Sequence, residues 1–219
     1  MPGTMGAEDA SINRLICPQG SQSLLERKVE LVGGGKQEAL KCGCNEVKAL
    51  LEMMGPVEVD ENFVGTRWSK LLINASFSGM SAVLGCTFGE AAGDKESRRI
   101  VQKLIKECID VCAASDIRIE PIQGKDVVKL LDYRNPIKKA ISFFIIPIAI
   151  RKHAGLKASM LQDIERGKKT EVDAINGAVC SQGRKVNVPT PCNDKVVELI
   201  HRIENGELTP CRENVLLFK

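Results

Sequence analysis

The chain has 219 residues with a formal net charge of +3, and 43% of its residues are hydrophobic and 27% are charged. This length suits one or two domains with a sizeable buried core, and the composition is close to that of an average globular protein. The charge is too small for a nucleic-acid surface, and an aromatic content of 4% argues against platforms that stack bases. We therefore expect no nucleic-acid partner.

The first sixty residues predict short strands and a helix. Residues 1–22 mix glycine, proline, serine and asparagine without a sustained period, which predicts an irregular start. Lys28–Val32 predicts a short strand that ends at Gly33-Gly34-Gly35. A dinucleotide-binding loop needs GxGxxG with an acidic residue about 20 positions further on, and GGGKQEAL lacks that spacing, so a turn is predicted. Glu38–Met54 then predicts a helix and Val57–Val59 a second strand.

The cysteines and histidines predict no metal site. The nine cysteines are odd in number and spread along the chain without a signal peptide, which predicts reduced thiols and a cytoplasmic protein. Cys42-Gly43-Cys44 is a close pair without a second pair nearby, so structural thiols are favoured over zinc. Cys108 and Cys112 are one turn apart on a predicted helix and are expected on its buried face. His153 and His201 lack partners at metal-ligand spacing.

From Asn62 onward the apolar residues recur at steps of three and four, which predicts a mostly helical domain. Lys70 and Asn74 are four residues apart and would share one face of the first helix. Asp94 is predicted to cap a long amphipathic helix that ends near Ser115. Further helices are predicted over Gly124–Leu131, from Asn135–Pro136, from Thr170 to Ser181, and from a cap at Asn193 or Asp194 to Asn205–Gly206.

The most hydrophobic run is Ala140–Ile150, AISFFIIPIAI. It is much shorter than the roughly 20 residues that cross a bilayer, and its apolar residues are continuous, so neither an anchor nor a membrane-surface helix is predicted. We predict a buried segment in the core or a pocket wall, and no membrane partner. The part from Phe143 to Ile150 could also pack between domains or subunits, so self-association, as a homodimer, is expected.

Hydroxyl, amide, acidic and turn residues are concentrated in Ala158–Gly177, ASMLQDIERGKKTEVDAING. Thr170 or its neighbour is predicted to cap a new helix, with Glu171 in the first turn, where the helix dipole favours a carboxylate. The residues alone leave two interpretations open. Glu171 is either an ordinary acidic residue at a helix start or a functional carboxylate.

Three segments, RWSKLLIN at 67–74, SMLQDIERGKKTEVDAING at 159–177 and VPTPCN at 188–193, resemble the C-terminal substrate-binding domain of the ketopantoate reductase (2-dehydropantoate 2-reductase) family. The resemblance covers about Asn62 to Gly206. It implies a mainly α fold, with a helical domain of the ketopantoate reductase and 6-phosphogluconate dehydrogenase-like type over residues 61–219. Residues 1–60 would be a partial α/β remnant of the nucleotide-binding domain, because a complete one takes roughly 100 to 150 residues.

The resemblance also implies site residues. The lysine that acts as general acid in the family falls on Lys70, and the asparagine one turn on, which helps to hold the substrate, falls on Asn74. The serine that binds the substrate carboxylate falls on Ser159, and the glutamate that engages the lysine and the substrate hydroxyl falls on Glu171. These residue types suit the reduction of a ketone, because hydride delivery creates an alkoxide that an ammonium group neutralises and protonates.

Two positions depart from the family pattern. The second substrate-binding asparagine is Ser78 here, and the asparagine that often precedes the serine by three residues is Leu156. Ser78 keeps a hydrogen-bonding group of shorter reach, so the pocket could hold a different or bulkier 2-oxo acid.

The function implied by the resemblance is NADPH-dependent reduction of 2-dehydropantoate (ketopantoate), or a similar 2-oxo acid, to the 2-hydroxy acid in pantothenate biosynthesis. NADP(H) is the cofactor expected from the family, but no cofactor-binding residue is identified in this chain. The alternative is a truncated, catalytically incomplete helical module for substrate binding or dimerisation. A third option is a related 3-hydroxyacid dehydrogenase, whose helical domain is similar but whose lysine motif differs.

Overall fold

The computed structural model describes residues 13–16, 47–55, 57–60, 62–122, 126–131 and 136–218. Two compact units are present, Met1–Thr66 and Arg67–Lys219. The predicted strand at Lys28–Val32, the glycine turn after it and the Cys42–Cys44 pair lie outside the described residues. None of the helices in the described part is both long and apolar enough to cross a membrane.

In the first unit, strands β1 (Asn13–Ile16) and β2 (Val57–Asp60) form a parallel pair. Asn13 lies opposite Val57 and Ile16 opposite Asp60. Residues 47–52 are helical and lie in the connection between the strands, as a parallel pair requires a crossover. β2 confirms a prediction, whereas β1 occupies a stretch predicted to be irregular. A four-residue strand is too short to show a period, and its pairing partner is distant in sequence.

The helices from residue 63 onward are numbered in chain order. They are α1 (Phe63–Ile73), α2 (Gly79–Leu84), α3 (Phe88–Gly93), α4 (Lys95–Ala114), α5 (Val127–Leu131), α6 (Pro136–Ala149), α7 (Ser159–Glu165), α8 (Val172–Lys185) and α9 (Pro191–Glu204). A π-helix, Asn74–Ser78, joins α1 to α2, and 3₁₀ turns lie at Arg151–His153 and Arg212–Phe218. This part of the chain is mainly helical, as predicted.

Helix α4 is the centre of the helical unit. Asp94 is its N-cap and accepts a hydrogen bond from the Ser97 amide at 2.8 Å, which confirms the predicted start. The apolar stripe of α4 is buried and packs against α3, α6, α8, α9 and the π-helix. Cys108 and Cys112 lie on this buried face as predicted, with free thiols. Each large apolar side chain buried there stabilises the fold by about 1.5–3 kcal/mol.

The predicted start of the last helix was wrong, and the prediction for the most hydrophobic run was only partly right. Helix α9 begins at Pro191 with Thr190 as N-cap, so Asn193 and Asp194 lie inside its first turn. Proline suits the first helical position, because its fixed φ is helical and its missing N–H would have no partner there. The prediction that Ala140–Ile150 lies in the core or a pocket wall is confirmed in part: α6 buries Ser142 and Ile146, and Ala140, Phe143 and Phe144 line a groove, while one apolar face of the helix lies open.

Candidate functional site

Ser159 and Glu171, predicted from separate parts of one motif, lie side by side. Ser159 opens α7, and its Oγ donates a long hydrogen bond of 3.4 Å to Glu171 Oε1. Both side chains are exposed. The connection between α7 and α8 turns at Gly167, whose φ of 65° favours glycine. A hydroxyl donor and a carboxylate acceptor therefore face solvent together.

Glu171 occupies the N-cap position of α8, one residue before the first turn where it was predicted. Thr170 contributes as expected, since its Oγ1 accepts a hydrogen bond of 3.3 Å from the Val172 amide. The Glu171 side chain makes no capping bond. Its carboxylate is therefore held near the positive end of the helix and is directed to Ser159.

Helix α9 fixes the segment that carries Glu171. The half-buried Glu204 accepts a hydrogen bond from the Thr170 amide at 2.7 Å, on one side of Glu171. On the other side, His201 Nε2 lies 2.9 Å from Asp173 Oδ1. This role of His201, Asp173 and Glu204 was not predicted. Their spacing gave no signal, because α9 meets this segment only in the folded chain.

Lys70 and Asn74 lie at the junction between α1 and the π-helix. Lys70 is exposed in the last turn of α1, and the half-buried Asn74 opens the π-helix. Within the described part of the chain, the side chain of Lys70 makes no hydrogen bond or ion pair. Its ammonium is therefore available to a ligand, and Asn74 follows it at the spacing of neighbours on one helix face.

The π-helix was not foreseen, because a continuous α-helix was predicted over this segment. The Gly79 amide donates to the Asn74 carbonyl, a bond from residue i+5 to residue i that adds one residue to the turn. Turns of this kind are frequent at functional sites. Ser78, at the end of the turn, is buried. The π-helix packs against α7, which begins at Ser159, and against α8, which begins directly after Glu171. The motif that contains Lys70 and Asn74 therefore lies beside both helices.

Gly79 allows α2 to approach α8 and α9 closely. A Cβ at this position would lie 2.8 Å from Val196 Cγ1 and 3.1 Å from Asn176 Oδ1. Because real Cβ atoms do not come so close to a neighbour, only glycine fits without a shift. The end of the π-helix is thus set by packing against the two later helices.

Other features of the described residues do not add to this site. A groove of about 520 Å³ lies between α4, α6 and the C-terminal turn, and none of Lys70, Asn74, Ser78, Ser159 and Glu171 lines it. No group of three or more His, Cys, Asp or Glu that could hold a metal occurs among residues that the structure describes. We assign no cofactor-binding residue.

Known proteins resemble this helical unit in sequence and fold. Residues 62–204 match the family model for the C-terminal domain of ketopantoate reductase PanE/ApbA. A 2-dehydropantoate 2-reductase of Streptococcus pyogenes serotype M6 is 28% identical over 146 residues, which cover 66% of this chain and 42% of that protein.

Solved structures show the same fold. A PanE/ApbA family ketopantoate reductase from Ralstonia eutropha JMP134 is 20% identical with a TM-score of 0.59, over 90% of this chain and 52% of that chain. A dimeric ketopantoate reductase from Staphylococcus aureus is 18% identical with a TM-score of 0.57, over 75% of this chain and 51% of that chain.

The chain spans less than half the length of the curated relative described above. The family model, in contrast, covers most of the chain, from the residue before α1 to the end of α9. The chain therefore belongs to the ketopantoate reductase PanE/ApbA family, and its helical part is the C-terminal domain of that family.

Proposed function

We propose that this chain supplies the substrate-binding and proton-donating half of an NADPH-dependent reductase of 2-dehydropantoate, or of a similar 2-oxo acid, in pantothenate biosynthesis. The observation that carries the proposal is the Ser159–Glu171 pair at 3.4 Å, on helices that pack against the π-helix after Lys70. A cation and hydrogen-bond donors suit the negative charge that develops on the ketone oxygen of a 2-oxo acid, and a carboxylate can accept a hydrogen bond from the product hydroxyl.

In the proposed mechanism, Lys70 protonates the oxygen of the substrate ketone as negative charge develops on it. NADP(H), when bound, would supply the hydride. Ser159 donates to the substrate carboxylate, and Glu171, which contacts Ser159 and makes no ion pair with Lys70 in the described structure, accepts from the product hydroxyl. Because Lys70 lies at the surface, it regains its proton from water.

Asn74 and Ser78 orient the substrate from the two ends of the π-helix. Ser78 is shorter than the asparagine expected from the family pattern, and it is buried. A hydroxyl at this depth leaves more room than an amide. We therefore keep the substrate class open to 2-oxo acids larger than 2-dehydropantoate.

We further propose that residues 1–60 are a partial α/β remnant of a nucleotide-binding domain and that residues 61–219 are the helical substrate domain. The parallel β1–β2 pair supports an α/β layer. The glycine-rich segment Gly33-Gly34-Gly35 lies outside the described residues, and no phosphate-binding turn is proposed. The free thiols suit a reducing compartment, and we place the protein in the cytoplasm.

Calorimetric titration of 2-dehydropantoate into the chain tests the proposal. We expect saturable binding, and Ser159→Ala should raise the dissociation constant about tenfold or more, because a hydrogen bond to a charged group contributes about 1.5–3 kcal/mol. Ser181→Ala, an exposed serine on α8, is the matched control and should bind as the parent does. Absence of binding, or equal weakening by both substitutions, would contradict the proposal.

A separate titration with NADPH decides between an enzyme and the alternative of a catalytically incomplete binding module. Binding of NADPH to the chain supports a reductase in its own right. Binding of 2-dehydropantoate without NADPH supports the module.

We also propose that two copies of the chain associate through the exposed face of α6. Ile137, Ile141, Phe144 and Ile148, here named the α6 stripe, follow steps of four, three and four and are between 50% and 74% exposed. The helix that carries the stripe is firmly held: Gln102 donates to the Lys139 carbonyl at 2.7 Å, and the Arg98 guanidinium lies 4.6 Å from the Phe143 ring centre. A fixed apolar stripe is typical of an interface.

Sedimentation analysis of the chain should show a dimer. The double substitution Ile141→Glu with Phe144→Glu should convert it to a monomer, because two carboxylates in each copy would be buried without partners. Leu156→Glu changes an apolar residue of similar exposure, 52%, outside α6, and should leave the dimer intact. A parent chain that is monomeric at high concentration would overturn the proposal.

A further inference from the structure

A buried carboxylate connects α4 with the first turn of α9. Glu107 accepts hydrogen bonds from the amides of Cys192 at 2.8 Å and Asn193 at 3.0 Å, and from Asn193 Nδ2 at 2.7 Å. Pro191 at the first position has no N–H, so the carboxylate meets the next two free amides of the helix. Glu107 thus caps α9 from a different helix.

The carboxylate also fixes the orientation of two buried amides. Because a carboxylate only accepts hydrogen bonds, the Nδ2 of Asn193 must face Glu107, and its Oδ1 must face the other way. That Oδ1 accepts from Asn176 Nδ2 at 2.9 Å. Asn176 then has a second N–H, which donates to the Ala75 carbonyl in the π-helix at 3.0 Å. Both asparagines are fully buried.

Asn176 Oδ1 has no hydrogen-bond partner in the described part of the chain. An unsatisfied buried oxygen costs about 1–3 kcal/mol. Flipping the amide would not relieve this cost, because the oxygen would then face two acceptors, Asn193 Oδ1 and the Ala75 carbonyl. The unpaired oxygen is the consequence of directing both N–H groups of Asn176 to their acceptors.

We propose that Glu107, Asn193 and Asn176 form a positioning relay for the substrate-binding turn. The relay holds the Ala75 carbonyl, and through it the wide turn whose ends are Asn74 and Ser78. These three residues do not touch the substrate and act only through the backbone of the turn. The inference rests on the proposed function in one respect, namely that this turn binds the 2-oxo acid.

Another buried asparagine offers a matched control. Asn214 Nδ2 donates to the carbonyls of Val83 and Thr209, each at 2.9 Å. Like Asn176, it anchors a helix carbonyl from a distant part of the sequence, but it does so near the far end of α2. Its removal should cost stability without loosening the π-helix.

The experiment compares Asn176→Ala, Asn193→Ala and Asn214→Ala in the full chain. Hydrogen exchange of the Gly79 amide, which closes the π-helix, is measured relative to the Leu104 amide in α4. We expect this ratio to rise about tenfold in the first two variants, the effect of losing one buried hydrogen bond, and to stay constant in Asn214→Ala. The dissociation constant for 2-dehydropantoate should rise severalfold in the first two variants alone.

Asn193→Ala leaves both backbone amides of α9 bonded to Glu107, so it should fold even if Asn176→Ala does not. An exchange ratio that is unchanged, or that rises equally in Asn214→Ala, would overturn the relay. A raised ratio with unchanged 2-dehydropantoate affinity would overturn its positioning role. If the parent chain does not bind 2-dehydropantoate, the proposed function fails, while the exchange ratio still tests the relay.

Discussion

Replacement of Lys70 by alanine is expected to lower the rate of 2-oxo acid reduction about a hundredfold or more. A general acid in the transition state contributes about this much, and in the described residues Lys70 has no intramolecular partner that would suggest a structural role. The rate is measured as NADPH oxidation with 2-dehydropantoate. The Michaelis constant should change less than the turnover number, because the proton is transferred only in the transition state.

Lys70→Arg separates charge from proton transfer. Arginine keeps the positive charge but does not release a proton in proteins, so substrate affinity should persist while turnover is lost. Lys185→Ala, an exposed lysine in the last turn of α8, is the control. Equal rates for Lys70→Ala and Lys185→Ala would remove Lys70 from the mechanism. In a preparation without turnover, the same comparison applies to 2-dehydropantoate binding, which Lys70→Ala should weaken about tenfold or more.

The free energy of unfolding is expected to fall steeply above pH 9. Burial raises the pKa of Cys112 and Cys180 from near 9 to about 12 and that of Cys86 to about 11. Burial, with the neighbouring Cys112, Glu107 and Cys180 adding to it, also holds the pKa of Cys108 well above its usual value. In the unfolded chain these thiols ionise near pH 9, whereas in the folded chain they stay protonated.

The direction of this pH dependence follows from the number of protons that the folded and unfolded states bind. Between pH 9 and about 11 the folded state binds more protons than the unfolded state, so stability is complete below pH 9 and is lost as the pH rises. Each thiol contributes about 1.4 kcal/mol per pH unit in that window, and four together remove on the order of 5 kcal/mol by pH 10. This is comparable to the whole stability of many domains.

Urea unfolding at pH 7, 9 and 10 measures this loss. Cys108→Ala should reduce the loss of unfolding free energy above pH 9 by about the contribution of one thiol. The cavity that the substitution leaves lowers stability equally at every pH. Thiolate absorbance should appear together with unfolding and not before it. A native chain whose buried thiols ionise near pH 9 while it stays folded would contradict the expectation.

Local patterns were sufficient for several elements. The stripe of α4 and the Asp94 cap followed from a strong helical period and from the chemistry of one side chain. Lys70, Asn74, Ser78, Ser159 and Glu171 could be proposed because short motifs mark them. Their roles remain predictions, but the Ser159–Glu171 contact shows that two of them meet.

Other features depend on contacts that no local pattern contains. β1 depends on a strand more than forty residues away. The exposed face of α6 shows that a continuous apolar run fixes neither which side is covered nor by what. The start of α9 depends on a carboxylate from α4 as well as on Pro191.

The helical domain, its family motifs and the candidate residues could be predicted from the chain alone, because helical period, caps and motif identities are properties of neighbouring residues. The π-helix at Asn74–Ser78 and the amides that hold it depend instead on contacts between distant helices. The physical reason is that a wide turn gains nothing from its own sequence. It is stabilised when Asn176 donates to the Ala75 carbonyl and when α8 and α9 pack against Gly79.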